Sequence, residues 1–243
     1  MATWIAHLRI AENLLTRIDG LDAAQFAIGN IAPDSGVPDE KWETFNPPPQ
    51  VTHFKRSASV HKDIADLDFY RRYLAEVPPQ DAPRFSFRLG YFFHLLTDNF
   101  WTVAVGKPTQ ERFPQQFAAD KNFIWEVKKN WYGLDHLYVR AHPDCIYWRV
   151  FLDAQPAAAD LDFLPPQALT RQLAYIKAYY QRTDPEIQAM INTPYIYLNQ
   201  DQMDSFVENT SNDLFRIHQL LWNDHRNVTD LYSATLLLSS TAN

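Results

Sequence analysis

Apolar positions along the 243-residue chain recur mainly at helical spacing, and no convincing alternating strand interrupts them. Trp4, Leu8, Ala11, Leu14, Leu15 and Ile18 follow the i, i+3, i+4, i+7 rule and predict a helix over Thr3–Asp19, with Thr3 as its N-cap. His7 falls on the buried seam of that helix. A short helix is expected over Ala23–Asn30, then a turn through Ile31-Ala32-Pro33-Asp34-Ser35-Gly36. Residues 37–57 are Pro-rich and read as irregular, with Pro47-Pro48-Pro49 at their centre. Asp63–Val77 reads as helix and is broken by Pro78-Pro79. The strongest helix is Phe85–Val103, where Phe87, Tyr91, His94, Leu95, Asp98 and Trp101 share one face. A second long helix is predicted from Gln115 to Arg140, seamed by Phe117, Asp120, Ile124, Val127, Trp131, Leu134 and Tyr138. Further helices are expected near 145–153, 166–182 and 202–222, separated by Pro165-Pro166 and by Asn192-Thr193-Pro194. The sum is an all-α fold: one helical domain over residues 1–222 and a C-terminal tail over 223–243 that either frays or docks. No linker and no internal repeat divides the chain.

Composition narrows the chemistry. Apolar residues make up 46% of the chain, enough for a substantial core, and the six glycines leave no room for a Gly-rich nucleotide loop. Cys145 stands alone, which excludes an internal disulfide and a Cys-rich zinc site. The net charge of −7 argues against nucleic acid as a partner, because a phosphate backbone needs a basic footprint. His7, Arg9 and Glu12 interrupt the first apolar stretch, unlike a secretory signal, and no run approaches the ~20 apolar residues of a membrane anchor. A cytoplasmic protein is expected.

Candidate chemistry begins with His94-Leu-Leu-Thr-Asp98. Residues four apart on a helix stand nearly in register, so an imidazole nitrogen and a carboxylate oxygen can reach one cation. Both lie in an apolar stripe, where a bare carboxylate is costly and either a metal ion or another cation would offset it. The plain alternative is a His–Asp hydrogen bond. His7 on its apolar seam, Asp34 in Pro-Asp-Ser-Gly and His53 in Val-Thr-His-Phe each have an ordinary structural reading: a core histidine, a turn cap, a half-buried side chain. Taken together, these awkwardly placed groups point toward a shared site. His61, His136, His142, His218 and His225 read as surface or helix-end residues.

The order Trp4, His7, Ile-Ala-Pro-Asp34, Thr-His53-Phe and Gly90-Tyr-Phe-Phe-His94-Leu-Leu-Thr-Asp98 resembles the zinc-dependent phospholipase C family, a superfamily that includes single-strand nucleases. The resemblance covers roughly residues 1–102. It implies a helical fold that binds a phosphodiester at a cluster of zinc ions, one to three here. It further implies that Asp34, His53, His94 and Asp98 hold one zinc, that His7 and Asp98 serve a second, and that Trp4 offers its carbonyl. Ligands of the family's third ion are not matched. Thr102-Val103-Ala104-Val105 stands where one histidine would fall, and Trp131 replaces another in Trp131-Tyr-Gly-Leu-Asp135. Asp120 and Asp135 are the candidate substitutes. Against that stand a local turn at Asp135 and an ion pair from Asp120 to Lys121 or Lys128.

The reading that results is a metal-dependent phosphoric ester hydrolase acting on a small phosphoester or phospholipid. Asp34 orients or deprotonates the attacking water, and aromatics such as Phe92 and Trp101 shape the leaving-group pocket. Its rivals are a metal-binding protein of the same fold without hydrolysis, and a helical interaction module without metal.

Overall fold

The computed structural model describes residues 1–40, 44–56, 63–157 and 161–239, so His61 lies outside the described residues. The architecture is all-α. Helix α1 (Trp4–Leu15) is capped by Thr3, whose hydroxyl accepts from the Ala6 N–H, and α2 (Ala23–Gly29) is capped by the Asp22 carboxylate. A single 3-10 turn, Ala32–Asp34, follows α2. Two-residue strands β1 (Val37–Pro38) and β2 (Phe45–Asn46) pair antiparallel. Helix α3 (Pro49–Thr52) forms inside the Pro-rich segment read as irregular, because Pro49 occupies the first helical turn, where a missing N–H costs nothing. Then come α4 (Asp66–Phe69), α5 (Ala82–Trp101), α6 (Lys107–Arg112), α7 (Pro114–Ala119), α8 (Phe123–Ala141), α9 (Pro166–Gln181), α10 (Pro185–Asn192), α11 (Gln200–His218) and the short α12 (Leu236–Ser239). Single π-turns extend α4, α5 and α11 at Tyr70–Leu74, Thr102–Gly106 and Gln219–Asn223, and another stands at Tyr147–Phe151.

Helix α5 is the axis of the molecule. Every residue from Phe85 to Asp98 is buried, so α5 has no wet face, and α1, α2, α4 and α11 all pack on it. The α2–α5 approach is set by two glycines. A Cβ on Gly29 would lie 2.1 Å from the Phe87 carbonyl oxygen, and one on Gly90 would lie 2.4 Å from that of Phe26. Backbone thus meets backbone, and the end of α2 is brought against the His94 turn of α5.

The predicted Gln115–Arg140 helix is divided. Helix α7 ends at Ala119, Asp120 is extended (φ −135°, ψ 116°), and α8 starts at Phe123. The Asp120 side chain accepts from the backbone N–H of Asn122 at 2.7 Å, a local turn that competes with helix continuation. The segment after α11 docks onto the body: the Ala234 N–H donates to buried Asp66 at 2.8 Å, and Asn99 Nδ2 donates to the same carboxylate at 2.9 Å. No helix among the described residues is long and apolar enough to cross a membrane.

Candidate metal centre

Four elements bring the site together. Asp34 closes the 3-10 turn after α2, His53 follows the last residue of α3, His94 and Asp98 lie one turn apart on α5, and His7 comes from α1. Tyr91, one turn before His94, donates its hydroxyl to the Thr52 carbonyl at 2.5 Å and so ties the end of α3 to α5. Phe54 then turns the chain in the left-handed region (φ +50°), held there by ring contacts to Phe69 and Phe163.

The distances identify what the cluster is suited to hold. His53 Nε2 is 3.2 Å from Asp34 Oδ1 and 3.3 Å from His94 Nε2, and both imidazole nitrogens are 3.6 Å from Asp98 Oδ2. The 3.6 Å separations are too long for hydrogen bonds. For metal–ligand bonds of about 2.0–2.2 Å, a tetrahedron has edges of roughly 3.3–3.6 Å. His53, His94 and Asp98 therefore stand at the mutual spacing of one ligand shell, and Asp34 joins it through His53 and His94. The second Asp98 oxygen, Oδ1, faces away from it, 3.6 Å from His7 Nε2, and accepts the Ala2 N–H at 2.7 Å. His7, His94 and Asp98 form a second, overlapping group of potential ligands.

Protonation suits the same purpose. His94 Nδ1 lies 2.8 Å from the Asn30 carbonyl, which fixes the proton on Nδ1 and leaves the Nε2 lone pair toward the cluster. Burial, then the neighbouring His7, pushes His94 down to about 3. Burial pushes the Asp34 carboxyl up, but the His53 hydrogen bond and the charges of His94 and His53 outweigh it and hold it at about 2. Asp98 is likewise held well below the usual carboxylate range, where the Met1 amino group, His7 and His94 outweigh burial. Two buried carboxylates held ionised, with the imidazoles around them, form a donor set whose negative charge a divalent cation would cancel. Asp98 Oδ2 and both ring nitrogens of His7 are buried with no hydrogen-bond partner among the described residues. A cation would satisfy Oδ2 and Nε2; unsatisfied, such groups cost about 1–3 kcal/mol each. The cluster can hold a metal ion, and the residues present fit one.

Three expected ligands stand elsewhere. Trp4 opens α1, so its carbonyl belongs to the helix ladder, and its indole N–H donates to Asp34 Oδ2 at 2.9 Å; it orients a ligand without being one. Asp120 is exposed at the α7–α8 break and outside the cluster. Asp135 is buried, but both its oxygens are taken by hydroxyl donors, Thr3 at 2.7 Å and Tyr180 at 2.6 Å. These two hydroxyls, with the nearby charge of Arg9, offset its burial. It anchors the capping turn that positions Trp4 and His7. Phe92 and Trp101 are core residues, not pocket walls. His136 is buried inside α8 against Tyr179 and Tyr180.

A cavity of about 500 Å³ opens onto Asp34 and His53. Its walls include Trp4, Trp125, Tyr132, Tyr175 and Tyr179, and Lys128 and Arg171 also line it. Sequence periodicity marks the tyrosines of α9 only as one side of a helix, and nothing in the chain order shows that this side faces α1. No family model, curated protein or solved structure matches the chain.

Proposed function

We propose that the protein is a zinc-dependent phosphoric ester hydrolase similar to the phospholipase C family. One observation carries the reading: His53, His94 and Asp98 stand 3.3–3.6 Å apart with Asp34 3.2 Å from His53, and Asp34 and His53 open onto a cavity large enough for a small organic substrate. Three imidazoles and two carboxylates, without a thiolate, form a donor set that zinc accepts. A zinc ion at such a site supplies Lewis acidity, polarising a phosphoryl oxygen and bringing the pKa of water toward 7.

The chain's own groups do the rest. Asp34 is the ligand at the cavity wall. Its Oδ2 accepts the Trp4 indole N–H, which fixes the carboxylate plane and leaves it able to hold a water by one proton and take that proton as the ester is attacked. The Asn30 carbonyl and the Thr52 hydroxyl, 3.0 Å from His53 Nδ1, keep the two imidazoles in orientation. Lys128, lining the cavity, offers positive charge to the phosphoryl oxygens.

The test is elemental analysis of protein purified without chelator or polyhistidine tag, followed by turnover of bis(p-nitrophenyl) phosphate and p-nitrophenyl phosphate. Bound zinc, with activity lost to chelator and restored by zinc, is the expected result. Bound metal without turnover of any ester would leave a metal-binding protein of this fold, and absence of metal would refute both.

A further inference from the structure

The cavity has an electrostatic character that the metal cluster does not account for. Several cations are neutralised in ion pairs, among them Arg9 with Asp204, Arg72 with Asp162, Lys129 with Glu126, Arg149 with Glu12, and Arg182 with Asp184 and Glu186. Lys128 and Arg171, the two Lys/Arg side chains lining the cavity, are not. Neither makes an ion pair or hydrogen bond among the described residues. Lys128 is half-buried, with its Nζ over the Trp125 ring at 4.7 Å from the centroid. An unpaired, partly desolvated ammonium is unfavourable, and burial holds its pKa below the ordinary value, against the pull of Asp34 and Asp98. The one carboxylate in the lining, Asp34, is already engaged by Trp4 and His53.

The walls between these cations are aromatic. Trp4 meets Tyr132, Tyr175 and Tyr179 at centroid distances of 5.5, 5.9 and 5.9 Å. Trp125 and Tyr175 leave 52% and 46% of their surface exposed at the same cavity. Aromatic walls alone would suit either a quaternary ammonium, through ring faces, or a flat ring. Two free cations beside them decide between these, because a cationic group placed there would be repelled.

We propose that Lys128 and Arg171 form an anion-selecting pair in this cavity, and that its ligand is an organic phosphate with a planar ring: a monoester dianion, not an ester with a cationic head group. The proposal rests on the hydrolase reading for the fate of the ligand, but not for its binding. In that arrangement the phosphoryl group lies between the Asp34 end of the cavity and Lys128, the ring lies among Trp4, Tyr132 and Tyr175, and Arg171 at the rim adds the second positive charge.

Calorimetric titration with three probes tests it, using protein as purified and again after chelation. Phenyl phosphate carries charge and ring, ethyl phosphate charge without ring, and benzyltrimethylammonium a ring with the opposite charge. Phenyl phosphate should bind tightest, ethyl phosphate more weakly, and benzyltrimethylammonium least. Lys128→Gln and Arg171→Gln should each weaken phenyl phosphate by about tenfold, the scale of one charge-assisted contact, with metal content unchanged. Arg171 is exposed, so its variant remains informative if Lys128→Gln folds poorly. Tighter binding of benzyltrimethylammonium, or phenyl phosphate affinity within about twofold of wild type in folded Arg171→Gln and Lys128→Gln, would overturn the anion pair. The same probe order without hydrolysis of any ester would uphold the pair and overturn the hydrolase reading alone.

Discussion

Replacing Asp98 by Asn separates a metal ligand from a structural carboxylate, because only a ligand changes how far added metal raises stability. Asp98 is 1% exposed; Oδ2 has no hydrogen-bond partner, and Oδ1 takes the Ala2 N–H at 2.7 Å. Asparagine keeps an acceptor for Ala2 and removes the charge. At an effective dielectric of ~20, a unit charge about 4 Å from another contributes about 4 kcal/mol, so losing the carboxylate should weaken metal binding roughly a thousandfold. Metal at about a thousand times its Kd stabilises wild type by about 4 kcal/mol. For a chain of this size that raises Tm by roughly 10 °C. At the same metal concentration the variant sits near its Kd and gains only about 0.4 kcal/mol, roughly 1 °C. Without metal the variant is the less stable protein, because it gives up the attraction of the Met1 amino group, His7 and His94 that holds the carboxylate well below its usual range. Thermal melts with and without zinc, paired with zinc titration calorimetry, separate this fixed loss from the loss of metal response. A Tm increase on metal addition that is equal in the two proteins would refute Asp98 as a ligand.

Further outcomes follow from other residues. Asp135→Asn should leave metal stoichiometry unchanged and lower Tm, because it weakens the Thr3 and Tyr180 contacts and no cation contact; loss of a bound ion on elemental analysis would restore Asp135 to the site. Gly29→Ala should cost about 3 kcal/mol and reduce metal affinity, since the new Cβ would force α2 and the Asn30 carbonyl off α5; urea unfolding and zinc titration together check this. Trp4→Phe should lower turnover more than stability, by about 2 kcal/mol of lost hydrogen bonding to a charged group, measurable as kcat/KM against Tm. Burial pushes Asp66 and Asp135 up from 3.8 to about 7, against hydrogen bonds that lower them. Each then holds a proton when folded that it releases on unfolding, so its contribution is full below about pH 4 and is lost as pH rises through about 7. Asp66→Asn should flatten that decline in urea titrations across the interval, and an unchanged slope would remove Asp66 as its source.

The five residues His7, Asp34, His53, His94 and Asp98 were legible because each places a ligand-type side chain where an apolar pattern expects none. Their meeting depends on backbone features with almost no sequence signal. The Gly29–Gly90 contact looks like two ordinary helical glycines until the helices are docked, and the Asn30 carbonyl that orients His94 has no side-chain signature. Apolar periodicity located α1, α2, α5, α9 and α11 to within a few residues, but it is blind to π-turns, which keep the seam while changing its phase.

The largest misreading and the least visible functional feature have a common origin. On a continuous helix from 115 to 140, Asp120 shares a seam with Trp131 and is a partner for Lys128. The turn at 120–122 breaks that helix: the Asp120 carboxylate caps the backbone of Asn122, in solvent, and α8 begins a new phase at Phe123. Released from the seam, Asp120 cannot ligate a metal. Lys128, without its expected carboxylate, is left over the cavity against Trp125 with its charge available to a ligand. A local hydrogen bond at one helix end thus takes a supposed ligand away from the cluster and leaves a cation at the cavity wall.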